Sequence, residues 1–382
     1  MRSYEFARRW VAAGHQVDVI SGTGYDRTLQ PNTVTMIDGI RVCTLGAAYA
    51  ADMGFARRLW AFVQFALKSS WYAARAKDYD VVLATSTPLT IAIPALCAKW
   101  LARRPLVFEV RDVWPDAAVD IGQLKNPILI TLARWLERMV YNAADRIVPL
   151  SDGMEDRIEK KGVARDKMTM IPNCSDLERF AKGNRARFRA HYGCENKFVI
   201  LYVGAISAAN HIEALADTID RLQSRDGWEW WFAGNGSRYE WLKQVAAERG
   251  WKHVRLIGPV PREDVGDLAA AADCGVVSFV PQPVYYENSP NKFFDYIAAG
   301  LPVVFSRSTW LQNVIETYQC GLVGQDGNPD QLAAHLVRLM EDPNLRQTMG
   351  KNARRMAEER FSRDVMAEKY LALFKSIHAE RE

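Results

Sequence analysis

The sequence predicts an α/β protein of two doubly wound, Rossmann-like domains, and three observations carry the prediction. Its 382 residues exceed what a single hydrophobic core usually serves. Short β-branched runs alternate with helical patterns along the whole length, the order expected of parallel sheets with helical crossovers. The stretch from Cys274 to Ser306 reads as one complete strand–loop–helix–strand unit of such a sheet.

That unit holds polar residues that packing does not require. Gly275 to Val280 is apolar and β-branched enough for a buried strand, and a proline-broken loop follows from Pro281 to Asn288. Ser289-Pro290 opens a helix: serine can cap free N–H groups, and proline has no N–H to leave unpaired in the first turn. The helix runs from Asn291 to Ala299 and stops at Gly300, and Val303 to Phe305 is the next strand. Parallel sheets bind ligands outside the carboxyl ends of their strands. The N–H groups of Asn291 and Lys292 have no partner inside the helix, so an anion is welcome there, and Lys292 adds a full positive charge. Glu287 and Asp295, eight positions apart, flank the helix start as acceptors. A ligand with phosphates and sugar hydroxyls fits this set. On the residues alone, so does a well-capped surface helix.

The spacing Glu287-x7-Asp295, followed by Tyr296-Ile297-Ala298-Ala299-Gly300-Leu301-Pro302-Val303-Val304, resembles the acidic-x7-acidic signature of the family 4 glycosyltransferases, which have the GT-B fold. The family usually has glutamate at the second position, where this chain has Asp295. The resemblance implies that Glu287 contacts the donor sugar, that Asp295 holds the ribose hydroxyls, and that Ser289, Asn291 and Lys292 take the diphosphate. The run Ser289-Pro290-Asn291-Lys292-Phe293-Phe294 resembles a subgroup that adds amino sugars of the fucosamine type to bacterial O-antigen and capsule precursors.

From the N-terminus, Tyr4 to Ala13 reads as a helix closed by Gly14, and Gln16 to Ser21 as a strand. Gly14-His15-x-Val17 resembles the Gly-His-x-Val that follows the first helix of GT-B transferases. A polar loop spans Thr23 to Thr35, and Ile40 to Leu45 is a second strand. Phe55 to Lys77 is a long helical pattern with Arg57, Gln64, Lys68 and Arg75 on one stripe and Trp60 and Trp71 beside it. It reads either as a helix packed deeply against its sheet with one solvated edge, or as an interfacial helix for anionic lipid. Asp80 to Ala84 is a strand. Asp78-x-Asp80 precedes it, whereas a metal-binding Asp-x-Asp should follow a strand, so no metal site is expected there. Leu106 to Val110 is a strand that delivers Arg111-Asp112-Val113-Trp114-Pro115-Asp116, which resembles an Arg-Asp-x-Trp-Pro-acidic loop of the same subgroup. Asp112 and Asp116 are thereby candidates for acceptor binding or proton handling, with a capped turn as the alternative.

Helices at 127–144 and 152–162 enclose a strand at 145–150, and Asn173-x-x-Asp176-x-x-x-Phe180 resembles the family's linker, with Cys174 where glycine is usual. The strand Phe198 to Val203 ends in Gly204 at the phosphate-facing end. Family members often carry arginine and lysine in the loop after it, where this chain has Ala205 and Asn210, so the phosphate must rely on amides, the helix end and Lys292. Loops at Gly234-Asn235-Gly236 and Gly258-Pro259-Val260 border the nucleotide in the family, which adds Gly204, Gly234, Asn235 and Val260 to the donor set.

Composition is that of an ordinary globular enzyme, with 49% hydrophobic and 25% charged residues. A net charge of +4 is too small to argue for nucleic acid, and none is expected. The six cysteines show no C-x-x-C pair or metal spacing and read as reduced thiols of a cytoplasmic protein. No signal peptide or membrane-spanning run is read; twelve tryptophans, several beside basic residues, read either as buried indoles, the commoner case, or as contact with an anionic membrane surface on the inner face of the cell membrane.

The expected organisation is an acceptor-binding domain over 1–180, a nucleotide-sugar domain over 181–360 facing it across a cleft, and a last helix over 361–382 crossing back to the first. The expected activity is metal-independent transfer, with no cofactor, of a sugar from a UDP-linked donor to a lipid-linked saccharide; family 4 implies retention. A sugar-nucleotide epimerase and a non-catalytic sugar-nucleotide-binding scaffold are the rival readings. Family 4 chains begin with a strand and glycine-rich loop, whereas this sequence opens on the helix that should follow them. The first sheet is therefore expected to lack its central strand, leaving a gap or a substitute there.

Overall fold

The computed structural model describes residues 2–24, 30–48 and 53–381. The chain forms two compact units, Met1–Pro172 with Met366–Glu382, and Asn173–Val365. The boundary thus lies before 180, for a local reason. The Asn173 amide donates to Ser289 O at 2.6 Å and the Ser175 hydroxyl to Phe294 O at 2.8 Å. Arg363 Nη1 pairs with Asp176 at 2.8 Å. The residues read as a linker are part of the second unit's hydrogen-bonded structure.

In the first unit, β1 (Asp18–Gly24), β2 (Thr33–Ile37) and β3 (Ile40–Ala48) form one sheet in the order β1-β3-β2. β2 and β3 are an antiparallel hairpin turned by Asp38-Gly39, both with positive φ (49° and 78°), the geometry of a tight primed turn. β4 (Val82–Thr85), β5 (Leu106–Val110) and β6 (Arg146–Pro149) form a second, fully parallel sheet. Among the described residues no strand pairs with the second edge of β1 or of β4. The sheet is split where a central strand was expected to be lacking. Phe6 and Trp10 of helix Arg2–Ala12, expected to need a sheet to cover, find aromatic partners on the last helix instead: Phe6–Tyr370 at 5.3 Å and Trp10–Phe374 at 5.4 Å between ring centroids. Arg2 adds a buried ion pair to Glu109 of β5 at 2.7 Å, and Tyr370 Oη donates to the same carboxylate.

Helix Phe55–Ala73 does not bury most of its circumference. Leu59, Trp60, Leu67 and Trp71 are exposed. So are Trp100 and Leu101 at the end of helix Ala92–Trp100, and Ile128, Leu132 and Trp135 of helix Pro127–Ala143. The first of these helices packs on the second and the second on the third, so the apolar residues belong to one run of neighbouring helices.

The second unit is a single six-stranded parallel sheet: β7 (Phe198–Val203), β8 (Trp228–Ala233), β9 (Val254–Gly258), β10 (Cys274–Val277), β11 (Val303–Phe305) and β12 (Gly321–Val323), in the order β12-β11-β10-β7-β8-β9. Every pair in it is parallel, the arrangement that covers both faces of a sheet, and two buried clusters pack on it. Trp228, Trp230 and Trp231 of β8 are wholly buried, which accounts for part of the tryptophan content. Connections run outward from β7 one way through β8 and β9, and the other way through β10 to β12. β7 and β10 therefore bound a topological switch point, where such sheets hold ligands at their carboxyl ends.

Candidate active site

The carboxyl ends of β7 and β8 meet backbone to backbone. Gly204 has φ +122° and Gly234 φ +142°, and a Cβ on Gly234 would stand 1.9 Å from Gly204 O. No other residue type fits that approach. Gly234 N–H donates to Gly258 O at 2.7 Å, which fixes the next loop as well. Asn235 braces the turn: its side-chain oxygen accepts from Gly236 N–H at 2.7 Å and its carbonyl from Ile206 N–H at 3.0 Å. Val260 is half-buried after β9 and packs on the core cluster beneath helix Asn291–Ala298.

That helix is placed by burial. Phe293, Phe294, Tyr296 and Ile297 are buried on β10 and β11. Tyr296 Oη accepts from Val203 N–H at 2.9 Å and donates to Leu201 O at 3.2 Å, joining the helix to β7. Ser289 does not cap it, contrary to expectation. The N-cap is Pro290 with no side-chain cap bond, and Ser289 Oγ instead accepts from Asn173 N–H at 3.2 Å. Asn291 is exposed at the start, and among the described residues no side chain caps the first-turn N–H groups.

Lys292 is not the fully charged surface lysine the sequence implied. Its ammonium lies 3.9 Å from the Tyr202 ring centroid and donates to Asn210 Oδ1 at 3.2 Å. No carboxylate pairs with it among the described residues, and burial pulls its pKa down to about 7. Asp295 is pushed up to about 6 by burial, which outweighs Arg179 and Arg363 nearby. Glu287 ends a one-turn helix, Pro283–Tyr286, in a segment expected to be loop throughout, and is half-buried. Trp310, in the loop after β11, holds this segment: its N–H donates to Tyr286 O at 3.3 Å and its indole Nε1 to Asn288 O at 2.9 Å.

The two acidic candidates of the first unit differ from one another. Asp112, just past β5, is exposed and accepts from the Thr87 hydroxyl at 2.9 Å. Asp116 begins the short helix Asp116–Asp120 and is held by Lys161 at 2.7 Å and Arg134 at 3.4 Å. Burial alone would raise its pKa, but the Lys161 and Arg134 partners dominate and hold it below the ordinary carboxylate range. A carboxylate so engaged is a poor proton acceptor. Among the described residues no group of three or more His, Cys, Asp or Glu is arranged to hold a metal ion.

The structure groups Gly204, Gly234, Asn235, Val260, Ser289, Asn291, Lys292 and Asp295 at the carboxyl end of the second unit's sheet, and places Asp112 and Asp116 in the segment after β5, the one on its loop and the other at the start of helix Asp116–Asp120. Sequence reasoning missed Tyr202, which offers its ring to Lys292, and gave Asn210 no role beyond replacing a cation. A tyrosine in a β-rich run signals only core.

Residues 1–174 match the Glycosyl transferase 4-like domain, and residues 184–356 match the Glycosyl transferases group 1 domain. The chain is 21% identical over 252 residues to the alpha-D-kanosaminyltransferase of Streptomyces kanamyceticus, covering 64% of each chain, just under two thirds of that relative. Sucrose-phosphate synthase of Thermosynechococcus elongatus superposes with a TM-score of 0.77 at 19% identity, over 98% of this chain and 92% of the other. HepE of Anabaena in complex with UDP and glucose gives 0.65 at 19% identity, over 89% and 87%. With one matched domain in each half and this fold throughout, the chain belongs to the GT-B glycosyltransferases of the family 4 type.

Proposed function

We propose that this chain transfers a sugar from a UDP-linked donor to a hydroxyl of a lipid-linked saccharide in surface polysaccharide assembly, with an N-acetylated amino sugar of the fucosamine type as the expected cargo. The observation that carries the reading is the start of helix Asn291–Ala298, with no side-chain cap, beside the Lys292 ammonium, which no carboxylate pairs with among the described residues, at the switch point of the second unit's sheet. A helix N-terminus and a cation together suit a diphosphate. Asp295 then accepts from the ribose hydroxyls, and Glu287 from the sugar ring.

In the reaction the bond from the anomeric carbon to the diphosphate oxygen breaks while the acceptor oxygen bonds to that carbon. The acceptor proton passes to the departing phosphate, and the linkage forms with retention. Charge accumulates on the leaving group, where the helix amides and Lys292 stabilise it, so no metal is needed for that role. Asp112 orients the acceptor hydroxyl. Asp116, already ion-paired, shapes the loop that carries it. The exposed aromatic helices of the first unit are read as the contact with an anionic membrane surface, which would hold the enzyme at the cytoplasmic face where its lipid-linked acceptor lies.

The test is a calorimetric screen of nucleotide sugars, followed by mass spectrometry of lipid-linked saccharides incubated with the donor that binds. A product heavier by one sugar residue supports the proposal. Conversion of the donor into an isomer without acceptor makes the chain an epimerase, and binding without turnover over any acceptor pool makes it a scaffold.

A further inference from the structure

The ends of β11 and β12 hold a buried cation that the donor site described above does not use. Arg307 is 2% exposed, and its Nη2 donates to Tyr286 Oη at 2.9 Å. Its Nε and Nη1 have no hydrogen-bond partner among the described residues. The ion pair to Asp326 is long, 3.6 Å, and Asp326 is itself 91% exposed. The guanidinium also lies 4.7 Å from the Tyr286 ring centroid, but a ring face accepts no N–H bond from Nε and Nη1, which stay out of water without an acceptor.

Other unsatisfied groups lie around it. His211 Nδ1, Ser278 Oγ and Ser306 Oγ are buried without a partner among the described residues. Ser278 and Ser306 stand one step beyond the paired residues Val277 and Phe305, so the parallel register sets them side by side on one face. Gly327 N–H donates to Ser306 O at 2.9 Å, and a Cβ on Gly327 would lie 3.0 Å from His211 Nδ1, so the end of β11, the loop after β12 and His211 converge. His211 is the N-cap of helix Ile212–Leu222, with φ +48° and no side-chain cap bond. Burial, and then Arg307, hold its imidazole below the ordinary histidine range against the pull of Glu213. Asn210, its neighbour, accepts from Lys292.

We propose that Arg307, His211 and the N-terminal turn of helix Ile212–Leu222 form a seat for an oxyanion carried by the donor, with Ser278 and Ser306 as flanking donors. The proposal rests on the donor reading given above. Two parts of a nucleotide sugar carry that chemistry: the diphosphate, and a carboxylate on the transferred sugar, as in a uronate.

Affinities of the full chain for uridine, pyrophosphate, UDP, UDP-glucose and UDP-glucuronate separate the cases. If the seat takes the diphosphate, Arg307→Met weakens pyrophosphate, UDP and UDP-glucose each by tenfold or more and leaves uridine unchanged. If it takes a carboxylate, the wild type prefers UDP-glucuronate to UDP-glucose by tenfold or more, and Arg307→Met removes that preference while UDP holds. His211→Glu, compared with His211→Gly, serves where Arg307→Met does not fold: glycine tolerates the left-handed backbone, and the added carboxylate must cost the same ligand tenfold. Affinities unchanged within twofold in the Arg307 and His211 variants, with no preference for the uronate, overturn the seat while UDP binding keeps the donor reading. Anion-dependent binding of pyrophosphate without any for UDP keeps the seat and overturns the donor reading. No binding of any of the five overturns both.

Discussion

At Lys292, solvation and ligand charge pull in opposite directions. Its folded pKa of about 7 lies below the ordinary lysine value, so between the two the unfolded chain binds more protons than the folded one. The residue's contribution to stability therefore rises with pH across that window. A bound diphosphate reverses the preference, because only the ammonium neutralises it. UDP affinity should fall from about pH 7 to about pH 9, with proton uptake on binding. Calorimetry in two buffers of different ionisation enthalpy reads that uptake, and Lys292→Met should lose both the affinity and its slope. An affinity flat with pH would take Lys292 out of the site. The two carboxylates divide differently. Glu287→Gln should lose most turnover with UDP affinity little changed, because its partner is the sugar; near-wild-type turnover would remove it from the reaction. Asp295→Asn should weaken UDP by about 1–3 kcal/mol if a charged hydrogen bond to ribose is lost. Equal UDP affinity in mutant and wild type would count against that role.

Among the elements, helix Asn291–Ala298 shows what the sequence could and could not specify. Its span was legible, because apolar spacing and a Gly-x-Pro stop are local signals. Its cap was not: Ser289 turned to the Asn173 backbone, a partner 116 residues away that no local rule reveals. The linker boundary failed for the same reason, since Asn173 and Ser175 are claimed by partners distant in sequence. The Phe55–Ala73 helix shows a third limit: apolar residues on most of a helix do not say whether sheet or solvent meets them. The approach of helix Asn291–Ala298 to the sheet depends on Gly275, where a Cβ would lie 2.3 Å from the Tyr296 ring. Gly275→Ala must displace that ring and the hydrogen bonds its hydroxyl makes to β7. It should destabilise the protein by about 1–3 kcal/mol, read as a shift of the urea midpoint. A loss below about 0.5 kcal/mol would mean that the contact relaxes freely.

For the molecule as a whole, the exposed aromatic helices of the first unit raise the question of what they meet. Buried indoles explain Trp228, Trp230 and Trp231 but not Trp60, Trp71 and Trp135, which are 60–62% exposed. On helix Phe55–Ala73 the exposed Leu59, Trp60, Leu67 and Trp71 fall within an arc of about 120° at 100° per residue. Arg57 and Lys68 continue that arc on one side, and Arg75 lies just past the helix end with its guanidinium over the Trp71 ring. Helix Pro127–Ala143 adds Ile128, Leu132 and Trp135, with exposed Arg134 and Arg138 alongside. No helix among the described residues is long and apolar enough to cross a membrane; exposed apolar residues flanked by basic ones are the pattern of helices that lie on one. The protein should co-sediment with vesicles containing anionic lipid, and the bound fraction should fall as salt shortens the reach of the basic groups. Replacing Trp60, Trp71 and Trp135 together by serine should abolish binding even at low salt, since each indole removes apolar area that the charges only steer toward the bilayer. UDP affinity should stay unchanged in that variant, because all three tryptophans lie outside the donor unit. Equal binding to neutral vesicles, or full binding by the triple variant, would leave these helices without a lipid role.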